Sequence, residues 1–140
     1  MTPPVSSPPK PKRCPCGSGA AYADCCGVLH EGRSVGEPTA PTAERLMRSR
    51  FSAFALRDAD YLLATWDPRT SPRSIELEPE VEWQRLEIIE TQRGGPDDDE
   101  GVVEFVATFW DDLERKHGQL RERSAFRRRR GQWFYVDAER

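Results

Sequence analysis

The segment VVEFVATFW, residues 102–110, is rich in β-branched and aromatic residues, which suit the pleated, half-buried surface of a sheet. We therefore predict a strand here. Similar patterns predict strands over 82–91, 118–128 and 132–136, and a weaker pattern predicts one over 73–78. Short glycine-containing turns separate these strands along the chain, so they are expected to form an antiparallel meander.

Helical spacing precedes the strands. Apolar residues recur every three or four positions from Ala43 to about Leu56, and Thr42 is placed to cap the first turn. Asp58 is placed to cap a second helix over 59–66, which Pro68 must end. Helices followed by a run of strands predict an α+β domain, and 140 residues suit one such domain with an appendage.

The appendage contains the only four cysteines of the chain, Cys14, Cys16, Cys25 and Cys26, with a Gly-Ser-Gly turn between the pairs. Two close thiolate pairs can wrap one tetrahedral zinc ion. Four sulfur ligands would leave no open position on the ion, so the predicted site is structural. His30 follows closely and is expected to be a surface residue of a connector over 27–41.

Two disulfides, or free thiols, are the competing interpretations of the cysteines. The proline- and serine-rich residues 1–13, predicted to be a disordered tail, lack the apolar stretch of a signal peptide. No stretch approaches the about 20 apolar residues of a membrane span. We therefore expect a cytoplasmic protein, and a reducing compartment favours zinc over disulfides.

Charge is segregated along the chain. The middle is acidic, ending in the run Asp97-Asp98-Asp99-Glu100, whereas the end is basic, with Arg127-Arg128-Arg129-Arg130. Such segregation can attract a charged partner. The simpler expectation is that acidic and basic side chains neutralise one another across neighbouring strands. Nucleic acid is disfavoured as a partner because no aromatic residues interleave the arginines.

One predicted strand has polar residues on its apolar face. Alternation places Glu122 and Ser124 on the same face as Leu120 and Phe126. Buried polar groups need partners or a water-filled cavity. Glu122 therefore either lines a pocket or pairs with an arginine of a helix, and the sequence leaves both open.

Segments of this sequence resemble two known families. The segment CPCGSG, residues 14–19, with the later Cys25-Cys26 pair, resembles the SEC-C zinc motif of the preprotein translocase ATPase. The phrases LMRSRFSAF over 46–54, DADYLLATW over 58–66 and WFYVD over 133–137 resemble the YchJ-like family of bacterial proteins. The resemblance covers nearly everything after residue 13.

The resemblance implies zinc on Cys14, Cys16, Cys25 and Cys26, a SEC-C knuckle over 14–26, and a following domain, residues 42–140, similar to nuclear transport factor two. That fold is a cone in which helices pack on a strongly bent antiparallel sheet around a cavity. Asp67 and Arg121 stand where related sequences often have histidines, so a histidine-based acid–base centre is not expected.

Three functions are compatible with the sequence. We expect a non-enzymatic zinc-binding module that contacts a protein partner. The first alternative is a small-molecule binder or enzyme that uses the cavity, with candidate lining residues Tyr61, Trp66, Asp67, Glu122 and Ser124. The second alternative is contact with the ribosome or RNA, against which the net charge of −3 argues.

Overall fold

A computed structural model describes residues 12–35 and 39–138 of the chain. Its helices come first and its strands follow. In chain order the elements are a 3₁₀ turn at Tyr22–Asp24, α1 (Cys26–Val35), α2 (Ala43–Ala55), α3 (Ala59–Ala64), β1 (Val81–Arg93), β2 (Glu100–Asp111), β3 (Lys116–Arg129) and β4 (Gln132–Ala138). The predicted α+β class is confirmed.

The four strands form one antiparallel sheet in the order β1-β2-β3-β4. Irregularities in register interrupt β1 twice and the β3–β4 pairing once. Such bulges increase the local twist and bend a sheet. The sheet therefore curls around the helices, as the resemblance to nuclear transport factor two implies.

The weak strand predicted over 73–78 is wrong, because these residues pair with no strand in the part of the chain that the structure describes. Their apolar side chains are used differently. Ile75 and Leu77 pack beside the buried residues Ala53, Tyr61 and Leu62 of the helices. The segment is thus held by side-chain packing, which an alternating pattern cannot distinguish from pairing in a sheet.

Both predicted helix caps are present. The Thr42 side chain accepts a hydrogen bond from the backbone N–H of Arg45, and the Asp58 side chain accepts one from Tyr61. Helix α3 ends at Ala64, two residues before its predicted end. Trp66 instead forms a bridge to Tyr135 of β4, which ties the end of α3 to the sheet.

The main core lies between α2 and the inner face of the sheet. Leu46 and Phe51 of α2 pack with Phe105 of β2, Phe126 of β3 and Trp133 of β4, and all five are at most 5% exposed. Fully burying such side chains contributes about 1.5–3 kcal/mol each. Helix α2 is therefore the element that holds the sheet in its curled form.

The connector predicted over 27–41 is wrong for its first part, which is the helix α1. His30, expected at the surface, is 8% exposed and lies on the buried side of this helix. The glycines Gly27 and Gly32 lowered the helical signal. The predicted tail lies outside the described residues except for Lys12 and Arg13.

No helix among the described residues is both long enough and apolar enough to cross a bilayer.

Candidate metal centre

The structure brings the four cysteines together. One sulfur from each of Cys14, Cys16, Cys25 and Cys26 lies within 4.8 Å of all the others, and all four residues are buried. The Sγ atoms of Cys16 and Cys25 are 3.7 Å apart. Four ligands at the zinc–sulfur distance of about 2.3 Å stand about 3.8 Å from one another in a tetrahedron. The cluster therefore fits a metal ion of this size.

The cysteines form no disulfide among themselves. A disulfide needs sulfurs about 2.05 Å apart, far less than the 3.7 Å between Cys16 and Cys25.

A tight hairpin places the first two cysteines. Gly17 and Gly19 have φ of 83° and 87°, a region that side chains disfavour and glycine enters freely. The backbone N–H of Cys14 donates to the carbonyl of Ala20, which closes the loop. Cys25 and Cys26 then stand at the start of α1. This short segment thus places four thiols close together.

Helix α2 supplies hydrogen-bond donors to the sulfurs. The guanidinium of Arg45 lies 3.4 Å from the Sγ of Cys26 and 3.5 Å from that of Cys25. The hydroxyl of Ser52 lies 3.5 Å from the Sγ of Cys14. Such donors stabilise thiolates, and the positive charge of Arg45 offsets the negative charge of a tetrathiolate site.

Hydrogen bonds between the cysteines shift the pKa values of their thiols in opposite directions. Hydrogen bonds from Cys16 and then Cys26 lower the pKa of Cys14 to about 2, even though burial opposes this. Sharing hydrogen bonds with Cys14 and Cys16 raises the pKa of Cys26. Burial would lower the pKa of Arg45, but the hydrogen bond to Cys26 and the charges of the cysteines raise it overall. The mutual hydrogen bonds therefore favour the thiolate at Cys14 and the protonated thiol at Cys26.

A series of buried hydrogen bonds connects the segment that holds the cysteines to the helices. The hydroxyl of Tyr22 lies 2.6 Å from Nδ1 of His30, and Nε2 of His30 lies 2.8 Å from the carbonyl oxygen of Ser49. The guanidinium of Arg48 donates to the carbonyl of Cys16 at 2.9 Å. The knuckle expected to stand apart from the domain beyond Pro41 therefore shares its packing with α2.

Two of the candidate cavity residues, Tyr61 and Asp67, have separate environments. Tyr61 borders a pocket of about 210 Å³ beside Trp133, and its hydroxyl lies 2.7 Å from that of Ser49. Asp67 is 2% exposed. Its carboxylate accepts the N–H of Arg69 and faces the guanidinium of Arg129 at 3.5 Å. Asp67 therefore stabilises the turn after α3.

Glu122 and Ser124 lie on the inner face of the sheet, as alternation predicted, opposite Phe105 and Val103. The hydroxyl of Ser124 donates to the carboxylate of Glu122 at 2.6 Å, and the hydroxyl of Tyr135 reaches the same oxygen at 3.4 Å. No helix arginine forms a salt bridge with Glu122 among the described residues. The carboxylate is thus satisfied mainly by hydroxyl groups.

A buried arginine completes this end of the core. Arg50 is 3% exposed and donates to the carbonyl of Leu62 and the hydroxyl of Thr65, both at 2.8 Å. Its guanidinium lies 5.2 Å from the ring centre of Trp66 and 4.6 Å from that of Tyr135. Burial lowers the pKa of Arg50 to about 10.

Sequence reasoning missed the contributions of Arg45, Ser52 and Arg50. Arg45 and Ser52 are two helical turns apart and therefore share one face of α2. That spacing identifies Arg45 and Ser52 as contacts of the sulfurs only once α2 is known to face the cysteines.

The arginine-rich end of the chain is largely neutralised by neighbouring strands, as the simpler interpretation of its charge predicted. Arg121 and Arg123 bond to Glu104 of β2, at 2.9 and 3.0 Å. Arg127 lies 3.6 Å from Glu100.

Comparison with known families agrees with the geometry. A model of the middle domain of YchJ, described as similar to nuclear transport factor two, matches residues 42–138, and a SEC-C model matches residues 11–27. A UPF0225 protein of Corynebacterium glutamicum is 48% identical over 124 residues, covering 89% of this chain and 94% of the relative. A UPF0225 protein of Corynebacterium efficiens is 50% identical over 123 residues, covering 88% and 89%.

Two solved structures resemble the chain throughout. The solution structure of a SEC-C motif protein from Rhodopseudomonas palustris has a TM-score of 0.72 at 34% identity, covering 90% of this chain and 96% of the other. The crystal structure of a SEC-C motif protein from Psychrobacter arcticus has a TM-score of 0.73 at 26% identity, covering 89% and 80%.

Proposed function

This chain belongs to the YchJ-like family with an N-terminal SEC-C motif, and we propose that it is a zinc-binding, non-enzymatic module that contacts a protein partner. One observation carries the proposal: four buried sulfurs lie within 4.8 Å of one another. Cys14, Cys16, Cys25 and Cys26 would hold one zinc ion per chain.

The donor set favours a structural role for the metal. Four thiolates fill a tetrahedral shell and leave no position for water or substrate. Arg45 and Ser52 approach the sulfurs from α2, so the ion would tie the N-terminal hairpin to the main helix. Zinc supplies a rigid cross-link at such sites.

The polar residues of the core support a role other than catalysis. A general acid or base must reach a reacting atom with a suitable pKa. Asp67 is committed to the turn at Arg69, and Glu122 is committed to Ser124 and Tyr135. Both carboxylates thus have structural partners.

Metal analysis of untagged protein tests the first half of the proposal. We expect one zinc per chain in the wild type and none in a Cys25→Ser/Cys26→Ser variant. Protein with reduced thiols and no bound metal would contradict it. Iron in place of zinc would correct the identity of the metal while leaving the ligands in place.

Co-purification tests the second half. Wild type and the double cysteine variant are each isolated from cells, and retained proteins and small molecules are identified by mass spectrometry. A protein retained only by the wild type supports an interaction module.

A small molecule retained by both forms would favour the alternative of a ligand-binding cavity, for which the pocket beside Tyr61 is the candidate. Turnover of a substrate that Asp67→Asn or Glu122→Gln abolishes in folded protein would overturn the non-enzymatic proposal.

A further inference from the structure

Two hollows adjoin at the surface formed by the end of α2, the segment before β1 and the β2–β3 hairpin. The first, of about 470 Å³, has a floor of Leu77, Trp83, Phe109 and Leu120. The second, of about 600 Å³, has walls that include Pro15, Leu56 and Trp110. Both contain Arg57 and Trp83 in their walls, and we call the pair the acidic groove.

Aromatic side chains pack together in the floor of the acidic groove. The ring centre of Trp83 lies 5.1 Å from that of Phe109 and 6.2 Å from that of Phe54. Leu120, at the edge, is 41% exposed. A preformed apolar floor beside a few polar groups is typical of a binding site.

Carboxylates border both hollows. Glu76, Glu78 and Asp111 border the first hollow, and Glu80, Glu82 and Asp112 border the second. Among the described residues of these walls, the one basic residue, Arg57, donates to the backbone carbonyls of residues 78, 79 and 81.

The four glutamates of the groove have no direct side-chain partner among the described residues. Their side chains make no hydrogen bond or ion pair with any described residue. Unpaired charges of one sign around an apolar floor attract an occupant of the opposite sign.

The molecule already shows how a basic side chain sits at this edge. The guanidinium of Arg115 lies 5.2 Å from the ring centre of Trp110 and pairs with Asp112. Contact of a cation with an indole face and a carboxylate together is a favourable arrangement. The remaining carboxylates lie in the same walls as Trp83.

We propose that the acidic groove binds an extended, lysine- or arginine-rich segment of a partner protein. Apolar side chains of that segment occupy the two hollows, and its basic side chains pair with Glu76, Glu78, Glu80 and Glu82. The surrounding negative charge repels nucleic acid and anionic lipid. This inference rests on the proposed interaction function and names the surface and the chemistry of the partner.

Fluorescence anisotropy with a labelled peptide in which lysine alternates with leucine tests the proposal. Full-length, metal-loaded protein is titrated into this probe and into a probe with glutamate in place of lysine. Binding of the lysine probe alone is expected, and it weakens as salt rises from about 50 to 500 mM. Failure to bind the lysine probe, or equal binding of both probes, overturns the proposal.

Matched variants locate the binding. Glu78→Gln/Glu80→Gln should weaken binding about twofold to thirtyfold, since each of the two exposed ion pairs contributes about 0.2–1 kcal/mol. Glu87→Gln/Asp97→Asn removes the same charge from exposed positions outside the groove and should leave binding unchanged. Equal losses in both variants would show unspecific attraction and overturn the groove as the site.

The apolar floor is tested in the same way. Leu120→Ser changes a groove residue, whereas Leu113→Ser changes a residue that is 77% exposed and outside it. Only the first should weaken the lysine probe. The lysine probe could bind none of these proteins while a partner still co-purifies in a metal-dependent manner. The proposed binding site would then be wrong, and the proposed interaction function would stand.

Discussion

At the scale of single residues, Arg45 has the most specific role in the candidate metal centre. It is the cation in contact with two of the four sulfurs, at 3.4 and 3.5 Å. Arg48, one turn later, contacts the carbonyl of Cys16 and no sulfur. The two arginines therefore separate an effect of charge on the thiolates from an effect of packing.

We predict that Arg45→Gln releases zinc to a chelator about tenfold faster than wild type, because loss of such supporting contacts costs about 10–100-fold in metal affinity. Arg48→Gln should change the rate much less. The measurement is the absorbance of a zinc-binding dye mixed with each metal-loaded protein. Equal rates for Arg45→Gln and wild type would show that the guanidinium does not stabilise the site.

A second prediction at this scale concerns Tyr135. Burial, followed by the charge of Glu122, raises the pKa of its hydroxyl to about 12. A group with a raised pKa in the folded state contributes stability that is present below its unfolded pKa of about 10 and is lost as pH rises towards 12. Stability should therefore fall between pH 10 and 12.

Urea unfolding at pH 9 and pH 11 measures this loss. Tyr135→Phe should lose less stability than wild type between the two values, because one tyrosine no longer ionises on unfolding. Arg50 acts in the opposite direction, since its pKa is lowered to about 10. An identical loss in Tyr135→Phe would show that Tyr135 does not contribute to the pH dependence.

At the scale of elements, the sequence predicts the four strands well and α1 poorly. Strand signals are local, because alternation and β-branched residues mark them. Helix α1 has Gly27 and Gly32 within ten residues, and glycine is unfavourable in helices. Its stability comes from tertiary contacts such as that of His30 with Ser49, which no local pattern reveals.

The candidate metal centre could be predicted only in part. The spacing identified all four cysteines because they lie in one short segment of the sequence. Arg45 and Ser52 are distant in sequence and join the cluster only through the packing of α2, so the sequence carries no direct sign of them.

The prediction at the scale of elements concerns the substitution of Gly27 in α1. A Cβ atom at this position would lie 2.6 Å from the carbonyl oxygen of Tyr22, too close for two unbonded atoms. Gly27→Ala should therefore destabilise the fold by about 1–3 kcal/mol, as overpacking does, despite the better helix propensity of alanine.

Gly95→Ala is the matched control, because a Cβ there meets only the carboxylate of Asp98 at an ordinary 3.5 Å. Urea midpoints of the two variants are compared with that of wild type. A stabilised Gly27→Ala protein would show that α1 does not pack against Tyr22 as described.

At the scale of the whole molecule, the sequence alone predicts that metal removal unfolds the knuckle and spares the domain beyond Pro41. In the structure the cysteine cluster and the main core are separate groups of buried residues, and α2 contacts both. Leu56 at the end of α2 packs against the cysteine cluster, and Arg45, Arg48 and Ser52 all reach it from one helix. Because α2 also packs on the sheet, we expect the cysteine cluster and the sheet to stabilise each other through this helix.

The tryptophans make this coupling measurable. All four, at positions 66, 83, 110 and 133, lie outside the cysteine-containing segment, so tryptophan emission follows the unfolding of the α+β domain. We predict that chelation lowers the midpoint of thermal unfolding seen by tryptophan emission by about 4–8 °C, since the domain loses about 1 kcal/mol or more when α2 loses its anchored partner.

Far-UV circular dichroism, which follows the helices, should show the same shift in one transition, and added zinc should restore both signals. Metal that binds the folded cluster and not the unfolded chain must raise the stability of every element that unfolds with it. A tryptophan midpoint unchanged by chelation, beside a separate low-temperature loss of helical signal, would instead mean that α2 holds the sheet without help from the cysteine cluster.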